Sequence, residues 1–121
     1  MKSAVLFLAL VALAGCGTQG VKPATARQTY AIASGDFDAA QAIIIRYEAL
    51  PPCGGATKVC RNEATVARAK QAVQEAGAAM DTARKTINDP NFSAGGAEMA
   101  LVVAQNALAL LTAITATLPI K

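Results

Sequence analysis

The clearest hydrophobic pattern lies in residues 62–88. Apolar residues recur there at alternating spacings of three and four positions, which places them on one face of an α-helix. The pattern comprises Val66, Ala69, Val73, Ala76, Met80, Ala83 and Ile87. Because every second member is alanine and the repeat is close to that of a coiled coil, we predict close, shallow left-handed packing against another helix. Asn62 is the predicted N-cap.

A second helix is predicted over residues 25–50. Its apolar face comprises Tyr30, Ala33, Phe37, Ala40, Ile44 and Tyr47. Ser34-Gly35-Asp36 interrupts this face, and glycine costs about 1 kcal/mol relative to alanine inside a helix. We favour one continuous helix with a weak point there; the alternative is a break, with Ser34 capping a new helix. Pro51 ends the helix, because it disfavours helical geometry at the preceding residue.

A third helix is predicted over residues 93–118, with Ser93 as a candidate cap. No charged residue occurs from Met99 to Ile120, and apolar residues occupy nearly every side. This helix is therefore either the most buried member of a bundle, with Leu110 in the core, or a membrane-embedded helix of spanning length. Gln105 and Asn106 near the centre, and the absence of an aromatic belt, favour the bundle. The predicted fold is an all-α three-helix bundle.

The N-terminus has a different pattern. Lys2 precedes the apolar stretch 4–14, which is too short to span a hydrocarbon core of about 30 Å. The stretch ends in Leu13-Ala14-Gly15-Cys16. This tetrapeptide resembles the lipobox of bacterial lipoproteins. The resemblance implies cleavage between Gly15 and Cys16 and attachment of diacylglycerol and palmitate to Cys16.

The same resemblance suggests where the chain is located. In Gram-negative lipoproteins, aspartate after the lipidated cysteine causes retention in the inner membrane, and this chain has Gly17. We therefore expect a lipid anchor in the outer membrane, with the protein facing the periplasm. Two or more acyl chains hold a protein stably, whereas one binds marginally. The expected organisation is a signal peptide (1–15), a lipidated cysteine with a tether (16–24) and a helical domain (25–121).

Cys53 and Cys60 form an even pair in an exported chain, which predicts a disulfide. Gly54-Gly55 between them is flexible enough to bring the ends together. Such a short loop contributes roughly 2–3 kcal/mol through chain entropy. Their spacing is not that of a CxxC redox motif, and two thiols without histidine make a poor metal site.

Charge and composition exclude several functions. Of 11 basic residues only Lys2 precedes the cleavage point, which leaves 10 basic against 8 acidic residues. The basic residues are scattered without aromatic neighbours, so we expect no nucleic-acid partner. The sequence contains no histidine, and Asp36 and Asp38 do not share a helix face. We therefore expect no enzymatic activity, no cofactor and no metal.

Two further resemblances bear on function. The segments "YEALPPCG…VC" and "VARAKQAVQEA", within about 47–76, are similar to small uncharacterised bacterial proteins, some of them prophage-borne. The chain is also similar to the murein lipoprotein of enteric bacteria in its lipidated Cys16, its helical heptads and its terminal Lys121. Its last four residues, "LPIK", differ from the C-terminal residues of that family. The first resemblance implies a prophage context without an assigned activity, and the second implies a peptidoglycan link through Lys121.

The function predicted first is a membrane-anchored envelope lipoprotein that acts as a structural or protein-interaction module, with an envelope protein as partner. A lysis or membrane-disruption lipoprotein is one alternative, and a peptidoglycan-linked lipoprotein is another. A carrier of a small apolar ligand between the helices is disfavoured, because alanine seams pack too tightly to leave a cavity.

Overall fold

The computed structural model describes residues 22–120. Within this range the chain forms three helices, α1 (Pro23–Glu48), α2 (Glu63–Ile87) and α3 (Ala94–Ala116), with no strands. Each helix packs against the other two. Contacts between α1 and α2, and between α2 and α3, join later residues of one helix to earlier residues of the next. Successive helices therefore run in opposite directions, and α1 and α3 are parallel. The predicted all-α three-helix bundle is confirmed, with each helix boundary within two residues of the predicted one.

Alanine dominates the core and lets the helices approach closely. Leu111 is the largest side chain that is completely buried. The core residues are Ala26, Ala33, Ala40, Ile44 and Tyr47 from α1; Val66, Ala69, Ala72, Ala76, Met80, Ala83 and Ile87 from α2; Ala97, Leu101, Ala104, Leu108 and Leu111 from α3; and Leu118.

The predicted core faces are correct with three exceptions. In α2, Ala72 is buried and Val73 is only partly buried. In α1, Tyr30 and Phe37 are also only partly buried. The Phe37 ring covers Gly77, where an added Cβ would lie 3.6 Å from Cζ.

The helix ends agree with the predicted capping residues. The Asn62 side chain accepts hydrogen bonds from the backbone N–H groups of Ala64 (2.9 Å) and Thr65 (3.2 Å). The Ser93 hydroxyl accepts one from Gly96 N–H at 3.3 Å. Helix α1 runs unbroken through Gly35. It starts with Pro23 in its first turn, a favoured position for proline, so residues 23 and 24 are helical and not part of the tether.

The predicted position of Leu110 in the core is wrong. Its neighbour Leu111 is completely buried, whereas 53% of Leu110 is exposed. Helix α3 buries one face, as α1 and α2 do. In a three-helix bundle each helix has only two neighbours, and these cannot cover its whole circumference. The apolar residues on the remaining side of α3 are therefore exposed.

Candidate interaction surface

The outer face of α3 carries most of the large exposed apolar side chains. The exposed fractions are 71% for Met99, 49% for Val102, 53% for Val103 and 53% for Leu110. These residues lie on the side of the helix opposite Leu101, Ala104 and Leu108. An exposed patch of this kind is typical of a contact site for a protein or a membrane.

This face is also uncharged. Glu98 is the one charged residue of α3, and residues 99–120 contain none. Sequence reasoning identified this absence of charge but assigned it to burial. The structure instead exposes much of the uncharged surface to solvent.

The outer face contains a regular seam, which we call the α3 seam. Its members follow one another at spacings of four, three, four, three and four residues: Met99, Val103, Asn106, Leu110, Ala113 and Thr117. All six are exposed. Spacings of this kind are those of the contact positions of a coiled coil. The seam was hidden in the sequence because apolar residues also occupy the other sides of α3.

A groove between α2 and α3 borders the seam. Small side chains of α2 form one wall and the first half of α3 forms the other. Its lining consists of Ala78, Ala79, Thr82, Thr86, Gly96, Met99, Ala100 and Val103. None of these residues is charged. A second groove lies beside the other half of the seam, and there Arg68 of α2 lines the surface together with Leu110 and Thr117.

The outer face of α2 is very different electrostatically. Asp81 accepts hydrogen bonds from Lys85 and Arg84 one turn further along the helix. These bonds, chiefly that from Lys85, lower the pKa of the Asp81 carboxyl below its usual value of 3.8. The charged residues of α2 are therefore partly paired with one another within a solvated surface.

The predicted cysteine pair is brought together in the loop between α1 and α2. The Cys53 and Cys60 sulfurs are at bonding distance, and their Cα atoms are 4.9 Å apart. Cys53 N–H donates to Arg61 O (3.1 Å), and Arg61 N–H donates to Pro51 O (2.9 Å), which closes the base of the loop. Gly54 has φ +118°, a conformation that residues with a Cβ rarely adopt.

Two side-chain contacts that the sequence did not reveal attach this loop to the helices. Arg61 Nη1 donates to the carbonyl oxygens of Glu48 (2.7 Å) and Leu50 (3.3 Å) at the end of α1. The Tyr47 hydroxyl accepts a hydrogen bond from Asn62 N–H at 2.7 Å. The end of α1 and the start of α2 are therefore connected by hydrogen bonds as well as by the disulfide, which gives the loop a structural role.

Residues 22–120 contain no cluster of three or more histidine, cysteine or acidic side chains suited to hold a metal ion. Asp36 and Asp38 are both exposed on α1. Gly15, Cys16 and Lys121, on which the predictions of cleavage, lipidation and peptidoglycan linkage rest, lie outside the described residues.

Within the described range, α3 is the one helix whose length and apolar composition would suffice for a membrane span. Only 28% of its most apolar 18-residue window is buried in the bundle. Helix α3 therefore packs against α1 and α2 through one face and exposes an uncharged outer face. No protein-family model, curated protein or solved structure matches this chain.

Proposed function

We propose that this chain is a membrane-anchored envelope lipoprotein that acts as a protein-interaction module, with the outer face of α3 as its contact surface. The observation that carries the proposal is the exposure of Met99, Val103 and Leu110 on a face without charge. The bundle core does not need these side chains, because Leu101, Leu108 and Leu111 already fill the inner face.

The charge distribution supports an approach from the α3 side. Seven charged residues lie on α2, namely Glu63, Arg68, Lys70, Glu75, Asp81, Arg84 and Lys85. Covering them would require their desolvation, which is costly unless each is paired. Covering the α3 seam removes apolar surface from water at a gain of about 25 cal/mol per Å². A partner therefore gains most free energy by contacting α3.

The proposed anchor would hold this surface near a membrane. Six residues, 17–22, separate Cys16 from the first residue of α1. Fully extended, they reach about 20 Å. If Cys16 is lipidated, the start of α1 lies within that distance of the membrane, and the bundle meets partners at the same surface.

Site-specific photo-cross-linking in living cells tests the proposal. A photoreactive amino acid at Met99 should form discrete protein adducts, which Leu110→Lys should remove. The matched control is the same amino acid at Ala67, which is exposed on the outer face of α2 and should form few adducts. Protein adducts of equal yield at both positions would contradict the proposal.

A second candidate, a membrane-disruption lipoprotein, is favoured by the length and apolar composition of α3. The two candidates differ in what the Met99 probe contacts. Adducts with lipid alone would favour membrane disruption, together with resistance to alkaline extraction of an unlipidated chain in which a cleavable secretory signal replaces residues 1–16. Protein adducts and release of that chain into the soluble fraction would favour the interaction module.

A further inference from the structure

We infer that the α3 seam pairs with the same seam of a second copy of this chain, in parallel, around a two-fold axis along the helices. The inference rests on the proposed function and names its partner. It starts from the spacing of the seam. Met99, Val103 and Leu110 follow the contact positions of a coiled coil on a face that no other part of the described chain covers.

Charge makes the seam self-complementary. Residues 99–120 carry no charged side chain, so the seam itself brings no like charges together; Arg68 of α2 borders its second half. Beside the first half of the seam, the groove wall on α2 consists of Ala78, Ala79, Thr82 and Thr86. Helix α3 of a second copy therefore finds small uncharged residues beside the first half of the seam. A symmetric dimer requires such a self-complementary patch.

Asn106 favours a protein partner over lipid and favours the parallel register. It is an exposed polar residue near the middle of the seam. In hydrocarbon its amide would lack a hydrogen-bonding partner, which is costly. In a parallel pair Asn106 faces Asn106 of the second copy, and two amides can donate to and accept from each other. A single polar residue in an apolar seam commonly sets register in this way.

The proposed anchor favours the same orientation. Because α1 and α3 run in the same direction, a parallel α3 pair places both α1 N-termini at one end. Both can then reach one membrane. In an upright antiparallel pair, one N-terminus would be displaced by the length of α3, about 35 Å. The extended segment 17–22 reaches only about 20 Å.

The area of the seam indicates that pairing depends on the membrane. From Met99 to Thr117 the seam is about 27 Å long and about 10 Å wide. It therefore covers roughly 270 Å² on each copy, against about 800 Å² per partner in a stable interface. Such a contact is weak between molecules free in solution. Confinement to one membrane raises the effective concentration of the two seams relative to each other. A second copy is confined in this way because it carries the same proposed lipid anchor.

Disulfide cross-linking of the full-length chain in isolated membranes tests the inference. Met99→Cys and Thr117→Cys lie at opposite ends of the seam. In a parallel pair each meets its own copy, so each single variant should form a covalent dimer under mild oxidation. The control, Gln105→Cys, is exposed on α3 but faces the α1 side and should remain monomeric. Dilution of the same variants in detergent should abolish cross-linking.

A charge in the seam provides a second measurement. Adding Leu110→Lys to Met99→Cys brings two ammonium groups together and should lower the dimer yield about tenfold, whereas Gln105→Lys should leave it unchanged. Leu110 is exposed, so the fold should survive, and circular dichroism of the purified variants checks this.

Three outcomes would overturn the inference. If dimers form only when Met99→Cys and Thr117→Cys chains are mixed, the pair is antiparallel. If no seam cysteine cross-links while the Met99 photo-probe captures a different protein, self-pairing fails and the interaction module stands. If that probe captures only lipid, both proposals fail.

Discussion

Helices α2 and α3 bury similar inner faces but expose very different outer ones. Each contributes a stripe of mainly alanine and larger aliphatic residues to the core. Outside, α2 carries seven charged residues, whereas α3 carries only Glu98. The fold requires the inner stripe of both helices, because that stripe is what each helix packs against its neighbours.

The difference separates two roles for apolar residues. On α2 nearly every large apolar side chain contributes to the core, and the outer face is charged. On α3 Leu111 contributes to the core, whereas Leu110 is exposed and is free to contact a partner. Four predictions test this comparison on residues 22–121 expressed in an oxidising compartment.

The largest effect on stability is expected from a charge on the buried side of α3, compared with the same charge on its exposed side. Leu111→Asp puts a carboxylate into the core without a partner, and burial of an unpaired charge costs several kcal/mol. This is comparable with the whole stability of a small domain, so the variant should be unfolded. Leu110→Asp, on the exposed side, should change the free energy of unfolding by about 0.5 kcal/mol or less. Urea unfolding followed by circular dichroism measures both; similar losses would contradict the assigned faces.

The second effect concerns the loop between α1 and α2. Replacing Cys53 and Cys60 together by serine removes a cross-link that closes an eight-residue loop. By chain entropy this should lower the free energy of unfolding by about 2.5 kcal/mol. Helical content should be retained, because both helices still pack on α3. Circular dichroism before and after urea titration tests this, and a loss of helicity without denaturant would show that the helices depend on the disulfide.

The two helix N-caps should contribute less to the free energy of unfolding than the disulfide does, and their contributions should differ. Asn62 accepts two backbone hydrogen bonds at the start of α2, whereas Ser93 accepts one longer bond at the start of α3. Asn62→Ala should therefore cost about 1 kcal/mol, and Ser93→Ala about half as much. Asn91→Ala serves as a control in the α2–α3 loop. The ranking fails if the two cap variants unfold at the same urea concentration.

The smallest effect is electrostatic and is specific to α2. Because Lys85 and Arg84 lower the pKa of Asp81, ionised Asp81 favours the folded state. This contribution is complete above the unfolded-state pKa, near 3.8, and is lost as the pH falls through the lower folded-state pKa. Asp81→Asn should flatten the pH dependence of stability in that range. Carboxyl chemical shifts in NMR titrations measure the pKa directly; a value at or above 3.8 would contradict the prediction.

Much of the fold could be predicted because it depends on local pattern. The three-and-four spacing of Val66, Ala69 and Ala76 predicted one face of α2, and Asn62 and Ser93 marked helix starts because their side chains cap exposed N–H groups. The cysteine pair was predictable from its spacing and its glycines. By contrast, the hydrogen bonds from Arg61 to Glu48 O and from Asn62 to Tyr47 depend on how two helices cross. No local pattern encodes that crossing.

The sequence by itself determined three helices, their ends, the loop cysteines and the absence of charge from 99 to 120. Only the tertiary structure decided which side of α3 is buried, since Leu110 and Leu111 are the same residue type in one apolar run. Two neighbouring helices can cover only part of a third, and their packing directions select that part. The α3 seam is the surface that this geometry leaves exposed.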